Sequence, residues 1–119
     1  MKNQILKIMI GSFFLMTFFY SCKKDVPSGK INYVGTWTSQ YSDETIIIDS
    51  NGGGSWESNS GGVSKNISGR VVFKSPGFII KALGFKKKFT IETEPTLSVN
   101  SYSGNYYYAT FNGTNFTRN

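Results

Sequence analysis

From Tyr33 to the end of the chain, short runs rich in β-branched and aromatic residues alternate with clusters of Gly, Asn, Ser and Pro, and no longer stretch repeats its apolar positions at helical spacing. The pattern predicts strands at Tyr33–Ser39, Glu44–Asp49, Gly54–Ser58, Val63–Lys74, Gly77–Leu83, Lys86–Glu92, Leu97–Asn100, Asn105–Phe111 and Thr114–Arg118. The sequences between them carry turn chemistry. Asp49-Ser50-Asn51-Gly52-Gly53, Asn59-Ser60-Gly61-Gly62, Ser75-Pro76-Gly77 and Asn112-Gly113 each supply residues that tolerate positive φ or are pre-set for a turn. Asn112-Gly113 is the sharpest signal, because a type I′ hairpin turn needs positive φ at both central positions.

Alternation assigns faces. Tyr33, Gly35 and Trp37 share one side of the first strand; Ile46 and Ile48 oppose Thr45 and Ile47 in the second; Phe89 and Ile91 oppose Lys88, Thr90 and Glu92 in the sixth. One face of the sheet is apolar and the other polar. With so many short strands in so few residues, the apolar face is buried by closing an antiparallel meander into a small barrel or folding it into a two-layer sandwich. The expected fold is all-β, with the domain spanning residues 33–119.

Upstream the pattern changes. Lys2 and Lys7 precede or flank an uncharged run from Ile8 to Tyr20, which is followed at once by Ser21, Cys22, Lys23 and Lys24. A spanning helix needs roughly 20 apolar residues to cross about 30 Å of hydrocarbon, so this shorter run has the order of an export signal. Phe19, Tyr20, Ser21 and Cys22, with a small residue directly before a Cys at the end of an apolar run, resemble the lipobox of bacterial lipoproteins. The resemblance implies that residues 1–21 are a cleaved signal peptide and that Cys22 becomes the lipidated first residue, alkylated by diacylglycerol and carrying fatty acyl chains such as palmitate. The competing reading is a plain secretory signal with an incidental Cys. Residues 22–32 are polar, aperiodic and contain Pro27 and Gly29, which predicts a flexible tether. The absence of Asp directly after Cys22 points away from inner-membrane retention, hence to an outer-membrane address, periplasmic or surface-facing. The Lys23-Lys24-Asp25 run looks like the charged surface-export tags of some outer-membrane lipoproteins, or is a solvated linker.

Composition narrows the chemistry. The chain is 119 residues long and 39% hydrophobic, with 10 Phe, 7 Tyr and 2 Trp, enough apolar material for one core. A formal net charge of +6 falls to +4 once Lys2 and Lys7 leave with the signal, a modest excess that aids solubility more than it recruits nucleic acid. The sequence has no His, which removes the commonest general base and metal ligand, and its single Cys cannot close an intramolecular disulfide. No catalytic residue, metal or cofactor is expected.

Several residues are candidates for surface contact. On a strand, Lys86 and Lys88 share a face and Lys87 points the other way. This run reads as an anionic contact or, more simply, as an edge strand protected from aggregation. Tyr106 and Tyr108 fall on one face and Tyr107 on the other, while Trp56 stands near a Gly-rich turn. Exposed aromatics of this kind stack on sugars or meet protein partners, although cross-strand packing explains them too. Glu92 and Glu94 lie on one side of a strand without a second acid–base partner, and Asp49-Ser50-Asn51-Gly52 lacks the downstream Glu of a calcium loop.

Gly35-Thr36-Trp37 in the first strand and Arg118 in the last resemble the Gly-X-Trp motif and terminal Arg of lipocalin-like barrels, and the region from Tyr33 to Arg118 is similar to the small lipocalin-like domains of bacterial lipoproteins. The resemblance implies that Trp37 closes one end of a barrel, that Arg118 packs over its ring, and that both are structural. The expected function is a non-catalytic binding or interaction module held to a membrane through Cys22, with a small apolar ligand, a carbohydrate or a protein as partner and no nucleic acid. A small inhibitor of an extracytoplasmic hydrolase, using turns at Asn59–Gly62 or Tyr102–Asn105 as plugs, is the alternative.

Overall fold

The computed structural model describes residues 25–102 and 104–118; the expected signal segment and Cys22 lie outside the described residues. A 3-10 helix at Ser28–Tyr33 leads into eight strands: β1 Gly35–Ser39, β2 Glu44–Ile48, β3 Gly53–Ser60, β4 Val63–Lys74, β5 Gly77–Ala82, β6 Phe85–Ser98, β7 Tyr106–Phe111 and β8 Thr114–Arg118. Each strand pairs antiparallel with the next, and β8 returns to pair with β1, so the meander closes as a barrel and not as a sandwich.

The strands follow the expected alternation. Trp37, Ile46, Ile48, Phe78, Ile80, Phe111 and Phe116 are fully buried and point inward, joined by Trp56, Phe89, Ala109 and Val71. Aromatic rings fill much of this interior: Phe78 lies 4.9 Å from Phe89 and 5.1 Å from Phe111, which in turn lies 5.7 Å from Trp37 and 5.5 Å from Phe116. Offset and edge-on pairs at these separations add about 0.5–1.5 kcal/mol each beyond the area they bury.

The hairpins obey their turn residues. Asn112 and Gly113 both have positive φ, 52° and 75°, and the flanking pair Phe111–Thr114 is in register, as a type I′ turn requires. The Asn112 side chain also extends the sheet. Its Oδ1 accepts from the Thr90 N–H at 2.7 Å and its Nδ2 donates to the Lys88 carbonyl at 2.9 Å, so it continues β7 along β6 past the turn. Glu92 caps the same turn by accepting from the Gly113 N–H at 2.7 Å.

Three expectations need correction. The runs Lys86–Glu92 and Leu97–Asn100, expected as separate strands, are joined in the single strand β6, which ends at Ser98. Register shifts between Ile91 and Thr93 and between Thr93 and Thr96 interrupt its pairing with β7, and Pro95, which has no N–H to donate, sits in the second gap. Tyr33 is not on the first strand; it ends the 3-10 helix and enters the core from the barrel's end. Contact with the barrel also begins before residue 33, within the expected tether, because Val26 packs against the core and its N–H donates to the Ser50 carbonyl at 3.0 Å.

One close approach depends on a missing side chain. A Cβ on Gly77 would lie 1.7 Å from the Phe89 carbonyl oxygen, which the β5–β6 ladder holds in place. Gly77→Ala is therefore expected to destabilise the barrel by about 1–3 kcal/mol in urea unfolding, whereas Gly29→Ala, which meets nothing within 4 Å, leaves stability nearly unchanged. Equal stability for the two variants would contradict the packing described.

Candidate functional site

The two ends of the barrel differ. The 3-10 helix, the β2–β3 loop, the β4–β5 turn and the β6–β7 loop gather at one end, and the β1–β2, β3–β4, β5–β6 and β7–β8 turns at the other. The first end is filled. Tyr33 drops into it and places its ring 5.3 Å from Phe73, 6.4 Å from Phe78 and 6.2 Å from Phe111, while its carbonyl accepts from the Trp37 indole at 2.8 Å. Arg118 crosses the same end. Its guanidinium lies 5.3 Å from the Trp37 ring and 4.3 Å from the Tyr107 ring, and its Nη1 donates to the carbonyls of Asn32, at 2.8 Å, and Val34. Gly35 makes room for this: its φ of +134° favours glycine, and a Cβ there would meet Arg118 Cδ at 2.5 Å. Trp37 and Arg118 thus pack and hydrogen-bond at the filled end.

The opposite end is open. β4 pairs with β5 only from Arg70 onward, so Val63 to Gly69 pair with β3 alone and the β3–β4 hairpin overhangs the rim. Its inward side carries Trp56, Ser58, Ser60, Val63 and Lys65. From across the rim, the pairing of Ile80 with Lys87 and of Phe78 with Phe89 turns Lys87 to the same side as the core residue Phe89. These six residues line a cup of about 400 Å³. The Lys87 ammonium stands 4.6 Å over the Trp56 ring and 5.7 Å from that of Phe89. Trp56 is 8% exposed, and its indole Nε1 is buried without a hydrogen-bond acceptor on the protein. Leaving such a donor unpaired costs about 1–3 kcal/mol.

The structure distributes the expected contact residues unevenly. Trp56, expected as a surface aromatic, is a buried floor of the cup, because on β3 it alternates inward between Gly54 and Ser58. Lys86 and Lys88 face solvent on the outer wall. Their strand is not a free edge throughout: β5 pairs along all of Phe85–Thr90, and on the other side Asn112 holds Lys88 and Thr90. Tyr106, Tyr107 and Tyr108 begin β7 at the filled end, away from the cup; Tyr107 lies half-buried under Arg118, and Tyr108 is 40% exposed on the outside. Trp56 and the lysine run therefore meet, through Lys87, and the Tyr triplet joins neither. Lys87, Lys65, Ser58 and Ser60 were not among the expected site residues. For Lys87 the signal was present in the alternation, which puts it on the same side as Phe89.

No family model, no curated protein and no solved structure matches the chain. Among the described residues, no group of three His, Cys, Asp or Glu side chains could hold a metal ion, and no helix is long and apolar enough to cross a membrane.

Tyr33 gives the filled end a pH dependence. Burial, and secondarily the Glu94 carboxylate, push its phenol from 10.0 up to about 12, and its hydroxyl has no partner. The unfolded phenol ionises near 10 while the folded one keeps its proton to about 12, so the folded state binds more protons and loses stability as pH rises through that window. Tyr33→Phe is expected to flatten the fall in stability between about pH 10 and 12 and to cost little at neutral pH, measured by urea unfolding across the range. An unchanged slope would refute the assignment.

Proposed function

We propose that the chain is a lipoprotein anchored through Cys22 to the outer membrane of a bacterial envelope, and that its lipocalin-like barrel is a non-catalytic binding module with the cup as its binding site. The observation that carries this reading is the placement of the two ends. The chain enters the barrel at the filled end, where Val26 is pinned to Ser50. Val26 is four residues after Cys22, and an extended chain covers at most about 3.5 Å per residue, so the filled end stays within roughly 14 Å of the anchor. The cup then faces away from the membrane, toward whatever diffuses past it. Each buried acyl methylene contributes about 0.8 kcal/mol, which makes an anchor of two or three chains effectively permanent.

Binding without catalysis suits the lining. The cup brings two ammonium groups and two serine hydroxyls together with no carboxylate or imidazole among its lining residues to act as a base. An inhibitor reading shares the anchor and draws support from the exposed hairpin tip at Asn59–Gly62, which overhangs the rim. The other proposed plug, the loop containing Tyr102, lies at the filled end and would face the membrane. Recovery of one stoichiometric enzyme in a membrane-fraction pulldown would favour the inhibitor over the small-ligand module.

Metabolic labelling with a palmitate analogue tests the anchor. The natural chain is expected to take up label and partition with membranes, and Cys22→Ser to do neither. Label retained in Cys22→Ser, or a mature chain beginning at another residue, would overturn the proposal.

A further inference from the structure

The chemistry of the cup narrows its ligand. Its polar lining is dominated by donors: the ammonium groups of Lys65 and Lys87, and the hydroxyls of Ser58 and Ser60, which can donate or accept. No carboxylate is among the residues that line the cup: Glu57 is exposed on the outer face of β3, and Glu44, the registered partner of Ser58 on β2, shares the inward face of Ser58 but stays outside the lining. A neutral apolar ligand would leave both lysines without a counter-charge, whereas an acceptor-rich anion satisfies the two together.

The walls also limit size and shape. About 400 Å³ is near the lower end of small-molecule sites, and Val63 with the Trp56 ring adds an apolar side to the polar lining. The Lys87 ammonium already covers the face of that ring, so the ligand meets the lysine before it meets the indole. We propose that the open end binds a small acidic saccharide unit, its carboxylate drawn to Lys87 and Lys65, its hydroxyl oxygens to Ser58 and Ser60, and its apolar face to Val63 and the Trp56 ring. This deepens the binding-module reading and does not need the anchor, so palmitate labelling can succeed or fail without touching it.

The test uses the full chain labelled with 15N-tryptophan, whose two indole resonances report on Trp56 in the cup and Trp37 at the filled end. Titration with D-galacturonate is expected to move the Trp56 signal and leave the Trp37 signal in place, while D-galactose at equal concentration moves neither. Acetate is expected to act more weakly than galacturonate, since it carries the charge without the hydroxyls. Lys87→Met is expected to weaken galacturonate binding by about tenfold or more with the Trp37 resonance unchanged as a check on folding, and Lys65→Met to weaken it by a smaller factor. The proposal is overturned if Trp56 does not respond to galacturonate, if galactose or acetate acts equally, if both indoles shift together, or if Lys87→Met binds as the natural chain does.

Discussion

The barrel depends on the closure of β8 onto β1. That seam is short: Thr38–Thr117 and Ser39–Phe116 are its registered pairs, with the Gln40 N–H donating to the Asn115 carbonyl at 2.9 Å beyond them. Toward the filled end the two strands part, and Arg118 spans the gap by reaching the carbonyls of Asn32 and Val34. A few hydrogen bonds worth about 0.5–1.5 kcal/mol each would hold such a seam weakly. Most of the stabilisation comes from the side chains behind it. Opening the sheet there would expose Trp37, Phe111 and Phe116, all fully buried, and each such side chain is worth about 1.5–3 kcal/mol. The aromatic interior keeps the seam shut, and the shut seam keeps the interior dry.

Closure also gives the molecule its polarity. Tyr33, Trp37 and Arg118 pack into the interior at the end where the chain enters. At the other end the β3–β4 hairpin outruns β5, and its inward residues change from apolar to polar as they leave the core, from Val71 and Trp56 to Ser58, Ser60 and Lys65. The cup is the consequence of that mismatch in strand length. Lys87 completes it because the strand opposite carries a cation at an inward position where the core has already ended.

Much of this was legible in the residues. Period-two alternation located Trp37, Ile46, Ile48 and Phe89 on the buried face, and Asn112-Gly113 announced its hairpin through the one backbone conformation it favours. The division of β6 into two strands failed because Pro95 reads locally as a breaker, while a bulge tolerates it wherever the ladder skips a donor. Trp56 was misplaced for a related reason. Its place on a short strand near a Gly-rich turn suggests exposure, yet small residues in β3 reflect close packing, since a Cβ on Gly54 would meet Val71 Cγ2 at 2.2 Å. The cup itself could not be read from local pattern, because it joins β3 and β4 to β6 across the rim, and although alternation puts Lys87 on the side of Phe89, only the closed barrel brings it over Trp56.

Amide hydrogen exchange across the β1–β8 seam tests closure most directly. A closed barrel requires that amides bonded between these strands, Gln40 above all, exchange at rates comparable to those in the middle of β5, so that the seam opens only with the whole barrel. Fast exchange at Gln40 and along β8 while β5 stays protected would mean an open sheet, and would contradict the filled interior and the cup together.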